Sequence, residues 1–257
     1  MEFIADPGTA WCGSLDVFYD IVQAVKKSGG TAIKPQVWPK NLYKGHEMEK
    51  EALRAWISKG TLRRMIKLCK DADLEMFCSV FGKRELKTYI NAYWEVMGIT
   101  PSRVKISCGM NDNWPLIEAV LSQENFERIY VSVESDEDLD RLLSAIRSRG
   151  FEFKYQGPFV PLYCVPKYPT MPEDVHFPHN TLIKGFSDHT LGIAASITAA
   201  ALGLEVIERH VMLSEEQYLM RLGYEPRFPD EVCAATMPKF RTIVRTCNEA
   251  RRMAGHD

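Results

Sequence analysis

The sequence predicts an α/β protein whose chain closes into a (β/α)8 TIM barrel. Three observations lead there. Short apolar runs alternate with longer amphipathic stretches from one end to the other, the pattern of a parallel sheet with crossover helices. Eight such runs fit within 257 residues, the length an eight-stranded barrel requires. Turn signals such as Ser28-Gly29-Gly30 and Arg149-Gly150 close several of the helical stretches. No internal repeat, low-complexity segment or linker interrupts the pattern, so residues 1–257 are read as one domain.

The first strand is read at Phe3–Ala5, and Leu15–Lys27 follows with helical spacing. Strand two, Thr31–Gln36, leads into Trp38–Lys59, a charged and aromatic stretch expected to form an active-site loop or an extra helix. Helix Thr61–Ala72 precedes strand three at Glu75–Val80, and strand four lies at Arg103–Ser107. Helical spacing resumes at Leu116–Leu121, before strand five at Arg128–Val133, helix Asp136–Arg149 and strand six at Phe159–Val165. Pro166–Asn180 contains four prolines and cannot be a regular helix throughout. Strand seven at Leu182–Ser187, helix Leu191–Leu202, strand eight at Glu205–Val211 and a closing helix within Asp230–Met253 complete the order.

Composition excludes several function classes. Hydrophobic residues make up 46% and charged residues 26%, with a formal net charge of -2. That balance supports a sizeable core and implies no nucleic-acid or acidic-membrane partner. Seven scattered cysteines form no CxxC pair and read as reduced thiols of a cytoplasmic protein. The N-terminus lacks a basic region followed by an apolar run, and no uncharged stretch reaches spanning length, so neither export nor membrane insertion is expected.

In such a barrel the functional side chains come from the C-terminal ends of the strands. Alternate strand residues share a face, which places Lys34 with Gln36, Lys105 with Ser107, Ser187 with His189 and Glu208 with His210. Two lysines inside a barrel mouth point to a phosphate or carboxylate ligand, unless each pairs with a neighbouring glutamate. His189 and His210, at the ends of consecutive strands, suit one divalent metal with positions left open for water and substrate. Asp188 faces the other way and reads as a supporting or structural residue, whereas Glu208 either supports the metal or neutralises a lysine.

Gly185-Phe186-Ser187-Asp188-His189-Thr190-Leu191-Gly192, then Ala200-Ala201-Leu202-Gly203 and Val206-Ile207-Glu208-Arg209-His210, resembles the signature of the N-acetylneuraminate (sialic acid) synthase family. The similarity continues through Ala32-Ile33-Lys34-Pro35-Gln36, Lys105-Ile106, Asn113-Trp114-Pro115-Leu116-Ile117, Leu162-Tyr163-Cys164 and Tyr168-Pro169, so it covers nearly the whole chain. It implies a metal-dependent transferase of carbohydrate biosynthesis that condenses phosphoenolpyruvate with an N-acylated amino-sugar aldehyde, such as N-acetylmannosamine, and releases phosphate. By the same resemblance His189 and His210 carry manganese or magnesium, and Lys34 and Lys105 hold phosphoenolpyruvate. Ser79 and Ser187 contact its phosphate or carboxylate, and Gln36 and Tyr168 face the sugar.

The departures from the family pattern gather on the acceptor side. Met110 replaces a glutamate, Cys108 a serine and Pro166 an asparagine, while Asp6-Pro7-Gly8 and Ala10–Ser14 replace the opening motifs. Ser214-Glu215-Glu216-Gln217-Tyr218 stands where the family has an acidic Pro-Gly loop, and the family's C-terminal antifreeze-like domain has no counterpart in these residues. Any homodimer is therefore expected to use the barrel helices or Trp38–Lys59. Two other readings stay open: a degenerate barrel serving as a binding or regulatory protein, and a Schiff-base aldolase using Lys34 or Lys105.

Overall fold

The computed structural model describes residues 1–151, 157–224 and 230–256. Its strands in chain order are β1 (Glu2–Asp6), β2 (Ala32–Ile33), β3 (Gln36–Val37), β4 (Glu75–Met76), β5 (Ser79–Val80), β6 (Arg103–Ile106), β7 (Arg128–Val133), β8 (Phe159–Cys164), β9 (Gly185–Asp188), β10 (Val206–Met212) and β11 (Ala235–Thr236). All the strand pairings are parallel, and β10 returns to pair with β1 from Glu2↔Val206 to Asp6↔His210. The ring is thereby closed as an eight-stranded (β/α) barrel.

Strand seven starts three residues later than read, at Gly185, and two other barrel strands are split. Strand two is the pair β2 and β3, because Pro35 lacks the N–H that a continuous ladder requires. Strand three is likewise split into β4 and β5 around Phe77-Cys78. The split segments stay in line: the amide of Lys34 donates to the carbonyl of Ala5, and that of Ser79 to the carbonyl of Pro35.

The helices cover the outside. α1 (Leu15–Lys27) starts at Ser14, whose hydroxyl accepts from the Val17 amide, and buries Val17, Phe18, Ile21, Val22 and Val25. α2 (Glu49–Arg54) is the extra helix within Trp38–Lys59. α3 (Lys59–Asp71), α5 (Trp114–Leu121), α6 (Asp136–Ser148), α7 (Ala194–Ala201) and α9 (Met237–Met253) lie close to the expected stretches. α4 (Lys83–Met97) had no counterpart in the sequence reading; it buries Leu86, Tyr89 and Ala92 and packs Ile90, Tyr93 and Val96 partly buried against the core. Its stop signal, Gly98 in the left-handed region at φ 75°, is the common helix terminator. α8 (Glu215–Leu222) opens with a capping box between Ser214 and Gln217. No helix of the described residues is long and apolar enough to cross a membrane.

The interior is layered. At the N-terminal end Glu2 accepts from Arg128 (3.0 Å) and from the Tyr130 hydroxyl (2.8 Å), and is bridged by Arg103. Phe77 stacks on Tyr130 above that plug, with ring centroids 5.0 Å apart. The next layer toward the C-terminal mouth is charged.

Candidate active site

Sheet register assembles this layer. Gln36 lies beside Ser79, Ser79 beside Lys105, Ser187 beside Glu208, and Asp6 beside His210. The lysine ammoniums are held by carboxylates. Lys34 Nζ donates to Asp6 Oδ2 (2.6 Å) and Ser79 Oγ (2.7 Å), with Glu208 Oε2 at 3.7 Å. Lys105 Nζ reaches both Glu208 oxygens, at 3.0 and 3.1 Å. Ser187 donates its hydroxyl to Glu208 Oε1 (2.7 Å), and the Gln36 amide donates to Asp6 Oδ2 (2.9 Å). Exposure is 2% for Lys34, 1% for Lys105, 3% for Asp6 and 6% for Glu208. Of the two roles left open for Glu208, neutralising lysine is the one its contacts match.

Burial and pairing set the charges. Burial pushes the Glu208 carboxyl up, but Lys105, Lys34 and the Ser187 hydroxyl outweigh it and hold Glu208 below the carboxylate range. Asp6 follows the same balance, with Lys34 and His210 prevailing over burial. Burial lowers Lys34, yet Asp6 and Glu208 raise it above the usual lysine range. Lys105 ends below that range, because burial is only partly offset by Glu208 and the neighbouring Lys34 opposes its charge. With all four groups ionised, two positive and two negative charges sum to zero.

The two histidines meet above this cluster. Their rings lie 5.4 Å apart at an interplanar angle of 25°. His189 Nδ1 is 3.0 Å from the Val165 carbonyl. Among the described residues His210 Nδ1 is buried without a hydrogen-bond partner, with Asp6 Oδ2 and Asp230 Oδ2 each at 3.9 Å. Among the described residues no cluster of three or more His, Cys, Asp or Glu side chains is gathered to hold a metal by protein groups alone. The two imidazoles and the orphaned Nδ1 do fit a divalent ion completed by water and substrate oxygens. Tyr168 packs its ring 4.3 Å from that of His189. Gly8, at φ 45°, is required here: a Cβ would meet Asp230 Oδ2 at 2.3 Å.

All eight residues singled out from the sequence line one cavity of about 420 Å³: Lys34, Gln36, Ser79, Lys105, Tyr168, Ser187, His189 and His210. The cavity also contains Asp6, Asp230, Cys108 and Cys164. Asp6 ends strand one on the same terms by which the other strand-end residues were chosen, so the rule of C-terminal strand ends would have found it. Asp230 had no such signal, because it comes from the approach to β11. Asp188 instead joins Arg209 outside the barrel at 2.5 Å, both side chains fully buried, and accepts from Ser196 and the Thr190 amide. Met110, next to the lining residues Cys108 and Gly109, is partly buried and packs against the hydrophobic core, its thioether accepting from the Asn113 amide (3.7 Å).

Comparison with known proteins identifies the family and the fold. The pattern of the NeuB family matches residues 21–257. An uncharacterized protein of Methanocaldococcus jannaschii is 23% identical over 98% of this chain and 71% of its own length. Pseudaminic acid synthase of Campylobacter jejuni is 24% identical over 82% of this chain and 65% of its own. N-acetylneuraminate-9-phosphate synthase of Drosophila melanogaster is 26% identical over 58% and 39% respectively. The chain thus spans less than two thirds of either named synthase. Among solved structures, N-acetylneuraminic acid synthetase from Leptospira borgpetersenii superposes with a TM-score of 0.79 at 20% identity, covering 99% of this chain and 85% of that one. A truncated 3-deoxy-D-arabino-heptulosonate 7-phosphate synthase from Thermotoga maritima gives 0.68 at 11% identity, covering 100% and 88%. At these identities the structural likeness is one of fold.

Proposed function

The chain belongs to the NeuB family, and from that premise we propose that it condenses phosphoenolpyruvate with an aldehyde acceptor, an N-acylated amino sugar. The carbon–carbon bond forms between the enol carbon of phosphoenolpyruvate and the aldehyde carbon. Water supplies the oxygen of the new ketone, and inorganic phosphate leaves with a sialic-acid-like 2-keto acid as product. The observation that carries this reading is the convergence of two buried lysines and two facing histidines in one cavity at the barrel mouth.

Each residue takes a role from its contacts. Lys34 and Lys105 hold the carboxylate and phosphate of phosphoenolpyruvate, assisted by the Ser79 and Ser187 hydroxyls that already bond within the cluster. Gln36 and Tyr168 line the side open to the acceptor. His189 and His210 would hold a divalent metal, manganese or magnesium, which when bound would supply a Lewis acid for the acceptor carbonyl. The electrostatics support that requirement. A cluster already neutral cannot by itself balance a multiply charged anion in a buried site, so further positive charge has to accompany phosphoenolpyruvate.

Met110 stands where the family has a glutamate and supplies no carboxylate for a sugar hydroxyl, so the assay has to include amino sugars other than N-acetylmannosamine. Phosphate release measured over a panel of aldehydes with manganese present tests the function. Release with at least one N-acylated amino sugar supports it. Phosphoenolpyruvate binding without release on any aldehyde would favour a degenerate barrel that only binds.

A further inference from the structure

A second cavity, of about 690 Å³, opens between the segment that follows β3, the link from α2 to α3 and the first turns of α4. It shares no lining residue with the cavity at the barrel mouth. Strand alternation separates the two: Gln36 lines the mouth, so its neighbour Val37 faces outward into the second cavity. Trp38, Trp56 and Ile57 extend the apolar wall. Trp56 is fixed there by its indole N–H, which donates to the Trp38 carbonyl (3.2 Å).

Glu85 is the polar group this wall surrounds. It lines the cavity and is 8% exposed. Its side chain folds back over Gly82, where a Cβ would meet Oε2 at 2.6 Å, yet it makes no capping bond to the start of α4. Among the described residues the carboxylate has neither a hydrogen bond nor an ion pair, and its oxygens stay open to the cavity. Holding a carboxylate at that depth without a partner is costly, so the site is incomplete without a donor.

The neighbouring cations do not supply that donor. Lys40 Nζ lies over the Trp56 ring, 5.3 Å from its centroid, and Lys59 is taken up by Glu95 at 2.5 Å. Arg84 lines the same cavity, is exposed, and has no side-chain partner among the described residues. A plain cation entering here would meet Lys40 and Arg84, and a plain anion would meet Glu85. A molecule carrying both charges beside an apolar group meets neither repulsion.

We propose that this cavity binds a free α-amino acid with a large apolar side chain. Its ammonium donates to Glu85, its carboxylate accepts from Arg84 and Lys40, and its side chain packs on Trp56 and Ile57. None of these residues lines the barrel mouth, so the binding is independent of the condensation proposed above.

The test is calorimetric titration of the whole protein with leucine, phenylalanine and tryptophan in turn, without phosphoenolpyruvate. At least one should bind, at one site per chain. Its analogues lacking the amino group or the carboxylate (3-phenylpropionate and phenethylamine for phenylalanine) should each bind at least about 10-fold more weakly, the worth of one hydrogen bond to a charged group. Glu85→Gln and Arg84→Gln, each checked for its fold by circular dichroism, should weaken binding by the same factor. Arg84 is exposed, so its variant keeps the test open should Glu85→Gln fail to fold. No binding of any of the three amino acids would overturn the proposal. So would equal affinity for the analogue without the amino group, an unchanged affinity in the folded variants, or tighter binding of glucose 6-phosphate than of any amino acid.

Discussion

Replacing Glu208 by glutamine isolates the electrostatics of the buried cluster. Lys105 has Glu208 as its carboxylate partner at 3.0 and 3.1 Å, and its side chain is 1% exposed. Glu208→Gln keeps the size and an acceptor for Ser187 but leaves the Lys105 ammonium buried beside Lys34 with the cluster at +1 rather than zero. Breaking a buried pair in this way costs about 3–5 kcal/mol. That is a large share of the roughly 5–15 kcal/mol a folded domain has. At roughly 2–4 °C per kcal/mol for a chain of this size, the melting temperature should fall by about 6–20 °C. An anion in the cavity should restore part of the loss: a ligand at about 100 times its Kd contributes about 2.7 kcal/mol. The assay is thermal melting of wild type and variant in anion-poor buffer, repeated with phosphoenolpyruvate or inorganic phosphate. A variant as stable as wild type without anions, or one whose loss no anion reduces, would refute the reasoning.

Other perturbations should separate the roles assigned above. His189→Ala and His210→Ala should each lower metal content at equilibrium by about 10-fold or more, read by elemental analysis, since a single remaining imidazole is a weak anchor. Equal content in both variants and wild type would contradict the assignment. Metal removal should weaken phosphoenolpyruvate binding more than any neutral-ligand binding, because the cluster carries no net charge of its own; calorimetry with and without a chelator measures this. The affinity for phosphoenolpyruvate should decline as pH rises through the depressed Lys105 value, earlier than an ordinary lysine would require. The sign follows from linkage: the anion stabilises the protonated ammonium, so binding takes up a proton wherever free Lys105 has lost one. Asp188→Asn should destabilise the fold by about 3–5 kcal/mol, because it breaks the fully buried pair with Arg209. Phosphoenolpyruvate affinity should be unchanged in that variant, since the pair lies outside the barrel.

The strand order and the face assignments were legible because a barrel converts sequence period into geometry: alternate residues at strand ends point inward, and Lys34, Lys105, His189 and His210 obey that rule. The break at Pro35 was readable in principle, since the missing amide is a property of the residue itself. α4 was readable too, since Leu86, Tyr89, Ile90, Tyr93, Val96 and Met97 recur at helical spacing before Gly98. Pairing in space was beyond the sequence. Glu208 reaches Lys105 from 103 residues away, and nothing local in either strand says whether a buried lysine is waiting for a ligand or already satisfied. The structure answers that both lysines are satisfied, which moves the requirement for positive charge onto the histidine pair. Asp230 was hidden for the same reason: it reaches His210 through the approach to β11 rather than along a barrel strand.

Calorimetric titration of phosphoenolpyruvate into the manganese-loaded wild type and into Lys105→Met tests the central claim most directly, namely that the charged layer at the barrel mouth seats this anion. The account predicts one molecule bound per chain in wild type. It predicts an affinity lower by about 10- to 100-fold in the variant, the worth of one hydrogen bond to a charged group. No binding by folded, metal-loaded wild type, or equal affinity in Lys105→Met, would contradict it.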